Sequence, residues 1–303
     1  MGDDKLLVVV VGPTAVGKTA VTIALAQHFG GEIISSDSRQ FYREMEIGTA
    51  KPDATERSLV AHHMVDTHSI SEDYDAGAFA SDVDDLLPLL FEKNKVQFMV
   101  GGSGLYVKAF CDGLDEMPET DPALREKLNH ELNDKGLDKL LEELREADPV
   151  YFEQVDQKNP QRVVRGLEVY RTTGLPYSHF RQGAKTKAHS FNILKIGLEM
   201  DRATLYDRID QRMDLMIEQG LFDEAKGLYP YRKNNALQTV GYKEIFDFID
   251  GKYNREEAIR LLKRNSRRYA KRQLTWFRKD EEVNWFEPNQ LDEMIKIIQS
   301  RLG

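Results

Sequence analysis

Six consecutive apolar residues, Leu6 to Val11, run directly into a glycine-containing loop that reads GPTAVGKT. The loop fits the pattern G-x-x-x-x-G-K-[ST], and the residues that follow it, up to Phe29, have the apolar spacing of a helix. A buried parallel strand, a glycine-rich turn and a helix N-terminus, in this order, form a cradle of inward-pointing N–H groups for phosphate oxygens. The predicted diphosphate-binding residues are Gly12, Pro13, Thr14, Ala15, Val16, Gly17, Lys18 and Thr19.

Strands and helices continue to alternate after this loop. Residues 32–35 and 96–100 have the short apolar runs of buried strands, with a predicted helix over 76–93 between them, and 193–198 reads as another strand. Such alternation predicts an α/β fold with a parallel sheet. The C-terminal part adds predicted helices at 202–219, 223–229, 242–249 and 255–277 and a final strand near 283–286.

The segment from 115 to 195 differs from the rest of the chain in its charge content and its periodicity. It is rich in charge and in helical periodicity, over 122–134, 137–147 and 159–173, and has no convincing strand before 193. We therefore predict a helical insertion domain at 115–195 within an α/β core formed by 1–114 and 196–303.

Composition excludes several classes of protein. The chain has 303 residues, of which 41% are hydrophobic, and no apolar run approaches the roughly 20 residues that span a bilayer. Its single cysteine, Cys111, excludes an intrachain disulfide framework and a zinc site built on several thiolates. We expect a cytoplasmic protein without membrane association.

Charge is distributed unevenly along the chain. The formal net charge is -9, yet residues 263–279 read KRNSRRYAKRQLTWFRK, with no acidic residue. Basic residues interleaved with Tyr269, Trp276 and Phe277 suit phosphate contact combined with base stacking. A basic amphipathic helix with aromatic residues in the core explains the same pattern, and both descriptions can hold together.

Asp37 follows the predicted strand 32–35 directly. In a parallel sheet, this strand end faces the same crevice as residues 12–19, called the phosphate loop below. The Asp37 carboxylate could therefore accept a proton from an attacking group. An aspartate after a strand is also a common turn or cap residue. The strand 96–100 runs into Gly101-Gly102-Ser103-Gly104 without an acidic residue, which disfavours an ATP hydrolase and leaves kinases and other diphosphate-handling enzymes.

Seven segments, in order along nearly the whole chain, resemble the bacterial tRNA dimethylallyltransferase (tRNA isopentenyltransferase) family. They are GPTAVGKT at 12–19, ISSDSRQFYREMEIGTAKP at 34–52, HHMVD at 62–66, GGSGLYVKA at 101–109, NPQRVVRGLEVYRTTG at 159–174, VGYKE at 240–244 and YAKRQLTWFR at 269–278. Ser103 is a departure, since the family commonly has threonine there. The resemblance implies a P-loop core like that of nucleotide kinases.

The resemblance also implies a reaction, the transfer of a dimethylallyl group from dimethylallyl diphosphate to N6 of the adenosine 3′ to the anticodon of tRNA. Lys18, with Mg²⁺ near Thr19, would stabilise the departing diphosphate. Asp37 would take the amine proton, and Ser103 would bond the amine or the phosphate side. Arg212 matches a family arginine that reaches the diphosphate; an exposed helix arginine paired with Asp210 or Glu218 is the alternative.

A polymer acceptor requires a surface for RNA and a base turned out of its stack. The tRNA-binding residues implied by the resemblance are Asp37, Ser38, Arg39, Gln40, Gln161, Arg162, Arg165, Gly241, Lys243, Lys271, Arg272, Gln273, Trp276 and Arg278. Arg162 and Arg165 share a helix face, which also suits a solvated salt-bridge face. The expected partners are the donor and the tRNA anticodon stem-loop, and we expect a monomer.

Three other functions remain open on the sequence. A nucleotide or small-molecule kinase would use the same phosphate loop and could use Asp37 as its base. Prenyl transfer to free AMP is a close variant, disfavoured by the basic segment 263–279. A nucleotide-responsive RNA-binding protein without catalysis would bind tRNA and leave its adenosine unmodified.

Overall fold

The computed structural model describes residues 5–181 and 187–302. The chain forms two compact units, one made of Met1–Cys111 with Ala188–Gly303 and the other of Asp112–Lys187. The boundaries predicted at 115 and 195 therefore differ from those of the structure. At the second boundary the reason is the strand that begins at Asn192, because Asn192 already pairs with Leu6 in the sheet.

The first unit contains a parallel α/β sheet, as the strand–helix alternation predicts. Its six strands are β1 (Leu6–Val11), β2 (Ile33–Ser35), β3 (His62–His63), β4 (Val96–Gly101), β5 (Asn192–Leu198) and β6 (Asn284–Phe286). Their order is β3-β2-β4-β1-β5-β6, and every neighbouring pair is parallel. β1 lies inside the sheet and is buried along its whole length, which explains its uninterrupted apolar sequence.

Helices cover both faces of this sheet. The helices of this unit are α1 (Lys18–Phe29), α2 (Ala54–Leu59), α3 (Ala76–Lys93), α4 (Gly104–Cys111), α10 (Arg202–Glu218), α11 (Leu221–Leu228), α12 (Tyr242–Ile249), α13 (Arg255–Phe277) and α14 (Leu291–Leu302). Alternate β1 residues serve two cores, because successive side chains of a strand point to opposite faces. Val8 and Val10 pack with α1 and α14, whereas Leu7 and Val9 pack with α3 and α4.

The second unit is helical over its described residues, 112–181 and 187. It consists of α5 (Pro122–Lys135), α6 (Leu137–Ala147), α7 (Pro149–Gln154), α8 (Pro160–Thr173) and α9 (Tyr177–Phe180). Leu128, Leu144 and Leu167 are fully buried in its own hydrophobic core. Arg171 of α8 forms ion pairs with Glu131 of α5 and Glu143 of α6, so charge also ties these helices together.

The parallel sheet brings the carboxyl ends of its strands to one edge, which positions the loops discussed below. Edge strand β3 is not among the strands predicted from sequence, since two residues carry no usable periodicity. Among the described residues, no helix is long and apolar enough to cross a membrane.

Candidate active site

The phosphate loop lies between β1 and α1, as its sequence predicts. Gly12 has φ 146° and Gly17 has φ 107°, conformations that favour glycine. Space is also restrictive at Gly12, because a Cβ there would lie 2.6 Å from the carbonyl oxygen of Leu198. Helix α1 begins at Lys18, so its N-terminal amides and its positive dipole end lie at the loop.

A glutamine from α13 holds the loop in place. The Thr14 amide donates to Gln273 Oε1 at 2.8 Å, and Gln273 Nε2 donates to the carbonyl oxygen of Gly102 at 2.9 Å. Gln273 is buried, so its side chain lies away from the exposed face of α13 that a tRNA-binding residue would use. The contacts identify it as a bridge between the loops that follow β1 and β4.

Lys18 is folded back onto its own loop. Its Nζ donates to the carbonyl oxygens of Gly12 and Pro13 at 3.0 and 2.8 Å. Removal from water, together with the nearby positive charge of Arg212, lowers the pKa of Lys18 to about 7, while Asp37 acts in the opposite direction. An anion bound in the loop would raise the pKa of Lys18 again, because a phosphate supplies negative charge next to this ammonium group.

A cavity of about 540 Å³ opens over the phosphate loop. It brings together eight of the predicted site residues from distant parts of the chain, namely Thr14, Ala15, Gly17, Lys18, Thr19, Asp37, Gln40 and Arg212. It also contains Arg208 and Gln211, which the sequence analysis missed. The signal for Arg208 is its spacing, since residues four apart on a helix share a face and Arg212 is its partner on α10.

Arg212 reaches the phosphate loop, where its Nη2 donates to Thr14 Oγ1. The alternative pairing with Asp210 does not occur, because Asp210 instead accepts from Arg267 at 2.5 Å. Burial lowers the pKa of Arg212, and the charge of Asp37 opposes this shift. Lys18, Arg208 and Arg212 thus supply three cationic side chains to one cavity, the arrangement expected for a diphosphate.

The segment after β2 carries Asp37 and the three predicted tRNA contacts beside it. Asp37 Oδ1 accepts from the Arg39 amide at 3.0 Å, which orients the carboxyl group. The Ser38 amide donates to Ser103 Oγ at 2.9 Å, so Ser103 supports the loop that carries Asp37. Gln40 lines the 540 Å³ cavity with Asp37. The buried Nε of Arg39 has no hydrogen-bond partner among the described residues.

A second, smaller cavity of about 90 Å³ adjoins the first and shares Thr14, Asp37, Thr49 and Arg212 with it. Its walls combine apolar and polar residues, and they are lined additionally by Arg39, Gly48, Met213, Met216, Leu221, Thr239, Val240, Gly241, Ser266 and Tyr269. Tyr269, absent from the predicted site, has a phenol whose pKa burial and Asp37 raise to about 12. Its hydroxyl therefore remains protonated.

The exposed face of α13 has basic residues of two kinds. Arg260, Lys263, Arg267 and Arg278 form ion pairs with Glu257, Asp214, Asp210 and Glu199. Within the described parts of the chain, Arg268, Lys271, Arg272 and Lys279 have no such partner, and they surround Trp276, which is 39% exposed. Exposed Lys243, at the start of α12, lies in a neighbouring cavity that shares Arg268 and Arg272.

Three predicted tRNA contacts lie in the helical second unit. Gln161 and Arg162 are exposed in the first turn of α8, and Asn159 caps this helix by accepting from the Arg162 amide. Arg165 donates to Glu168 Oε2 at 2.8 Å and to Thr120 Oγ1 at 3.0 Å. The salt-bridge interpretation thus applies to Arg165, whereas Gln161 and Arg162 face solvent within their unit.

Known proteins resemble this chain over nearly its whole length. The IPP transferase family model matches residues 40–280. A tRNA dimethylallyltransferase of Cytophaga hutchinsonii is 53% identical over 299 residues, covering 99% of this chain and 98% of that protein. One from Christiangramia forsetii is 50% identical over 281 residues, covering 93% of each.

Solved structures give the same result. The full-length tRNA isopentenylpyrophosphate transferase of Bacillus halodurans has a TM-score of 0.73 at 41% identity, covering 99% of this chain and 97% of that one. A eukaryotic dimethylallyltransferase acting on tRNA has a TM-score of 0.76 at 28% identity, covering 95% and 75%. The chain therefore belongs to the tRNA dimethylallyltransferase family.

Proposed function

We propose that this protein transfers a dimethylallyl group from dimethylallyl diphosphate to N6 of the adenosine 3′ to the tRNA anticodon, releasing diphosphate. The observation that carries the proposal is the single cavity lined by the phosphate loop, Asp37 and Arg212. It offers cations and backbone amides for a leaving diphosphate on one side and a carboxylate for an incoming amine on the other.

The reaction forms a bond between N6 and C1 of the allyl group while the bond from C1 to the diphosphate oxygen breaks. Negative charge grows on the departing oxygen, where Lys18, Arg212 and the amides of the phosphate loop stabilise it. The exocyclic amine becomes acidic as its nitrogen bonds to carbon, and Asp37 accepts the proton. An ordinary carboxylate suffices for this step, because the alkylated nitrogen is a strong acid.

Mg²⁺ fits this site as a proposed cofactor. Thr19 lines the same cavity as Asp37 and Glu56, and Mg²⁺ in such sites takes few protein oxygens beside phosphates and water. When bound through Thr19, the ion would neutralise charge on the diphosphate. Within residues 5–181 and 187–302, no cluster of three or more His, Cys, Asp or Glu suits a metal, in keeping with a site completed by the substrate.

The exposed face of α13 is the surface we assign to tRNA. Arg268, Lys271, Arg272 and Lys279 carry charge that no carboxylate of the described residues neutralises, and Trp276 offers an exposed ring between them. Cations without partners bind phosphates by releasing counterions from the nucleic acid, and an exposed indole stacks on an unpaired base. Lys243 extends the basic surface toward α12.

The second cavity shares Asp37 and Arg212 with the phosphate site, and it shares Thr239 and Val240 with the cavity that contains Lys243. Met213, Met216 and Leu221 supply apolar contact for an allyl group or a base, and Arg39 Nε supplies a donor that has no hydrogen-bond partner in the part of the chain that the structure describes. We assign recognition of the extruded adenosine to Asp37, Ser38, Arg39 and Gln40, with Gly241 in the cavity wall. Ser103 acts here through Ser38, which it orients.

The test is incubation of the protein with dimethylallyl diphosphate, Mg²⁺ and unmodified tRNA, followed by mass spectrometry of the digested nucleosides. The expected product is adenosine carrying one dimethylallyl unit, with release of one diphosphate. Free AMP in place of tRNA is the matched acceptor control and should remain unmodified. ATP turnover with free nucleosides and no prenylated adenosine would instead support a kinase.

A further inference from the structure

We infer that Glu224 of α11 is a positioning residue for the proposed transfer, because its carboxylate holds the loop Glu46–Ala50 against the two cavities. This inference rests on the proposed function. Glu224 itself lines neither the 540 Å³ nor the 90 Å³ cavity. Its influence on the reaction therefore passes through the loop that it binds.

Four donors converge on the Glu224 carboxylate. The amides of Glu46 and Ile47 donate to Oε2 at 3.1 and 2.7 Å, and the amide of Gly48 donates to Oε1 at 3.0 Å. The Tyr242 hydroxyl donates to the same Oε1 at 2.6 Å. An ionised carboxylate only accepts and has about four lone-pair sites, so it matches this set of donors.

The charge of Glu224 is balanced by these donors rather than by a cation. No Lys or Arg among residues 5–181 and 187–302 lies within ion-pair distance of it. Consecutive backbone amides that point to one centre form an anion-binding concavity, and the first turn of α11 adds a favourable helix dipole. The three amides thus bind the Glu224 carboxylate in the way that a backbone anion-binding site binds a phosphate.

The loop that Glu224 holds forms part of both cavity walls. Thr49 lines both cavities, Gly48 lines the smaller one and Ala50 the larger one. The carbonyl oxygens of Thr49 and Ala50 accept from Gln40 Nε2 at 3.3 and 3.1 Å. A displaced loop would therefore release Gln40 as well as reshape the walls.

Gln40 continues this chain of contacts to Asp37. Ser35 Oγ donates to Gln40 Oε1 at 2.8 Å and accepts from the Asp37 amide at 3.3 Å. Four successive hydrogen bonds therefore connect Glu224 to the backbone of Asp37. They run from Glu224 to the loop, from the loop to Gln40, from Gln40 to Ser35 and from Ser35 to the Asp37 amide. Small displacements at a reacting centre have large effects on rate, which makes Glu224 relevant to catalysis.

Tyr242 fixes the loop from the other side. The residue is fully buried, and a Cβ at position 48 would lie 2.5 Å from its hydroxyl oxygen, so only glycine fits there. Burial and the neighbouring Glu224 raise the pKa of Tyr242, which keeps the hydroxyl a donor. Two of the sequence segments, EIGTAKP and VGYKE, thus meet at Glu224, a residue outside both.

Glu224→Gln tests the inference, because it keeps the size of the side chain but replaces one acceptor oxygen with an NH₂ that must face donors. Asp223→Asn is the matched control, since it removes the same charge from the exposed neighbouring position on α11. Tyr242→Phe keeps the buried ring and removes one of the four donors. For each variant, we would measure kcat, KM for donor and for tRNA, and the midpoint of thermal unfolding.

We expect Glu224→Gln to lower kcat about tenfold, with the KM of dimethylallyl diphosphate changed less than about threefold, because these hydrogen bonds join the segment to Glu224 and Gln40 rather than to the phosphate loop. Tyr242→Phe should lower kcat by a smaller factor, and Asp223→Asn should leave it unchanged. A purely structural role would lower the unfolding midpoint and leave kcat per folded molecule intact, which would overturn the inference. If Glu224→Gln fails to fold, an unchanged kcat in Tyr242→Phe overturns it instead. Absence of transfer by the wild-type protein would overturn the proposed function and this inference together.

Discussion

The division of α13 into paired and unpaired cations makes a quantitative prediction for tRNA binding. Arg268→Gln combined with Arg272→Gln removes two cations that have no carboxylate partner in the described residues. Arg260→Gln combined with Lys263→Gln removes two cations of the same helix that already pair with Glu257 and Asp214. The two double variants change the net charge equally, so a difference in tRNA affinity between them cannot come from net charge.

The expected magnitude follows from counterion release. If each unpaired cation contacts one phosphate of the anticodon loop, the slope of log affinity against log salt should fall by about 0.7 per contact, or about 1.4 for the pair. With the affinities taken as equal at about 1 M salt, this change of slope corresponds to a loss of affinity of about 14-fold at about 0.15 M salt and about 65-fold at about 0.05 M. The paired cations are partly neutralised already, so their double variant should lose less than half as much.

The assay is tRNA binding by fluorescence anisotropy over a range of salt concentrations, with dimethylallyl diphosphate omitted so that no transfer occurs. Thermal unfolding controls for stability, since exposed ion pairs contribute only about 0–1 kcal/mol. Equal losses in the two double variants would refute the reasoning, because net charge alone would then explain the effect. An unchanged slope for Arg268→Gln with Arg272→Gln would remove this face of α13 from the RNA surface.

Three further predictions concern the cavity itself. Asp37→Asn should slow prenyl transfer about 10²–10⁴-fold and keep tRNA affinity, as measured by single-turnover kinetics and anisotropy; undiminished transfer would exclude Asp37 as proton acceptor. Donor affinity should fall as pH rises above about 7, because the free protein loses the Lys18 proton there and the complex retains it. Calorimetric titrations should show this decline, up to tenfold per pH unit, flattened in Lys18→Arg, whose guanidinium stays charged; equal slopes in both proteins would contradict it. Gln273→Glu places a carboxylate oxygen against the Gly102 carbonyl, so it should reduce the free energy of unfolding by about 1–3 kcal/mol and weaken diphosphate binding; a chain with both unaltered would exclude the bridge.

Local sequence signals account for the elements that surround the site. β1 is recognisable because a strand buried on both faces requires an unbroken apolar run, and the loop after it because backbone cradling of phosphate requires glycine at defined places. The bounds of α3, α6, α12 and α13 agree with those predicted, since apolar periodicity is a local property, as are the polar caps Asp75 of α3 and Asn254 of α13.

The resemblance to the family added what local signals do not contain. Arg212, taken from periodicity alone, reads as an exposed helix arginine, whereas the structure joins it to Thr14, 198 residues away. Asp37 alone reads as a turn residue. Both become site residues only when motifs from separate parts of the chain are considered together.

What the sequence by itself determined is the parallel α/β core, the phosphate loop and the location of the basic helix, because each depends on neighbouring residues. Tertiary structure decided that Lys263 and Arg267 of α13 are neutralised, since their carboxylate partners on α10 lie 49 and 57 residues away. It also decided that Gln273 braces the phosphate loop, 259 residues away, and that Glu224 receives the amides of the loop 46–48. These contacts join segments whose separation along the chain leaves no periodic trace, so only the folded chain brings their donors and acceptors together.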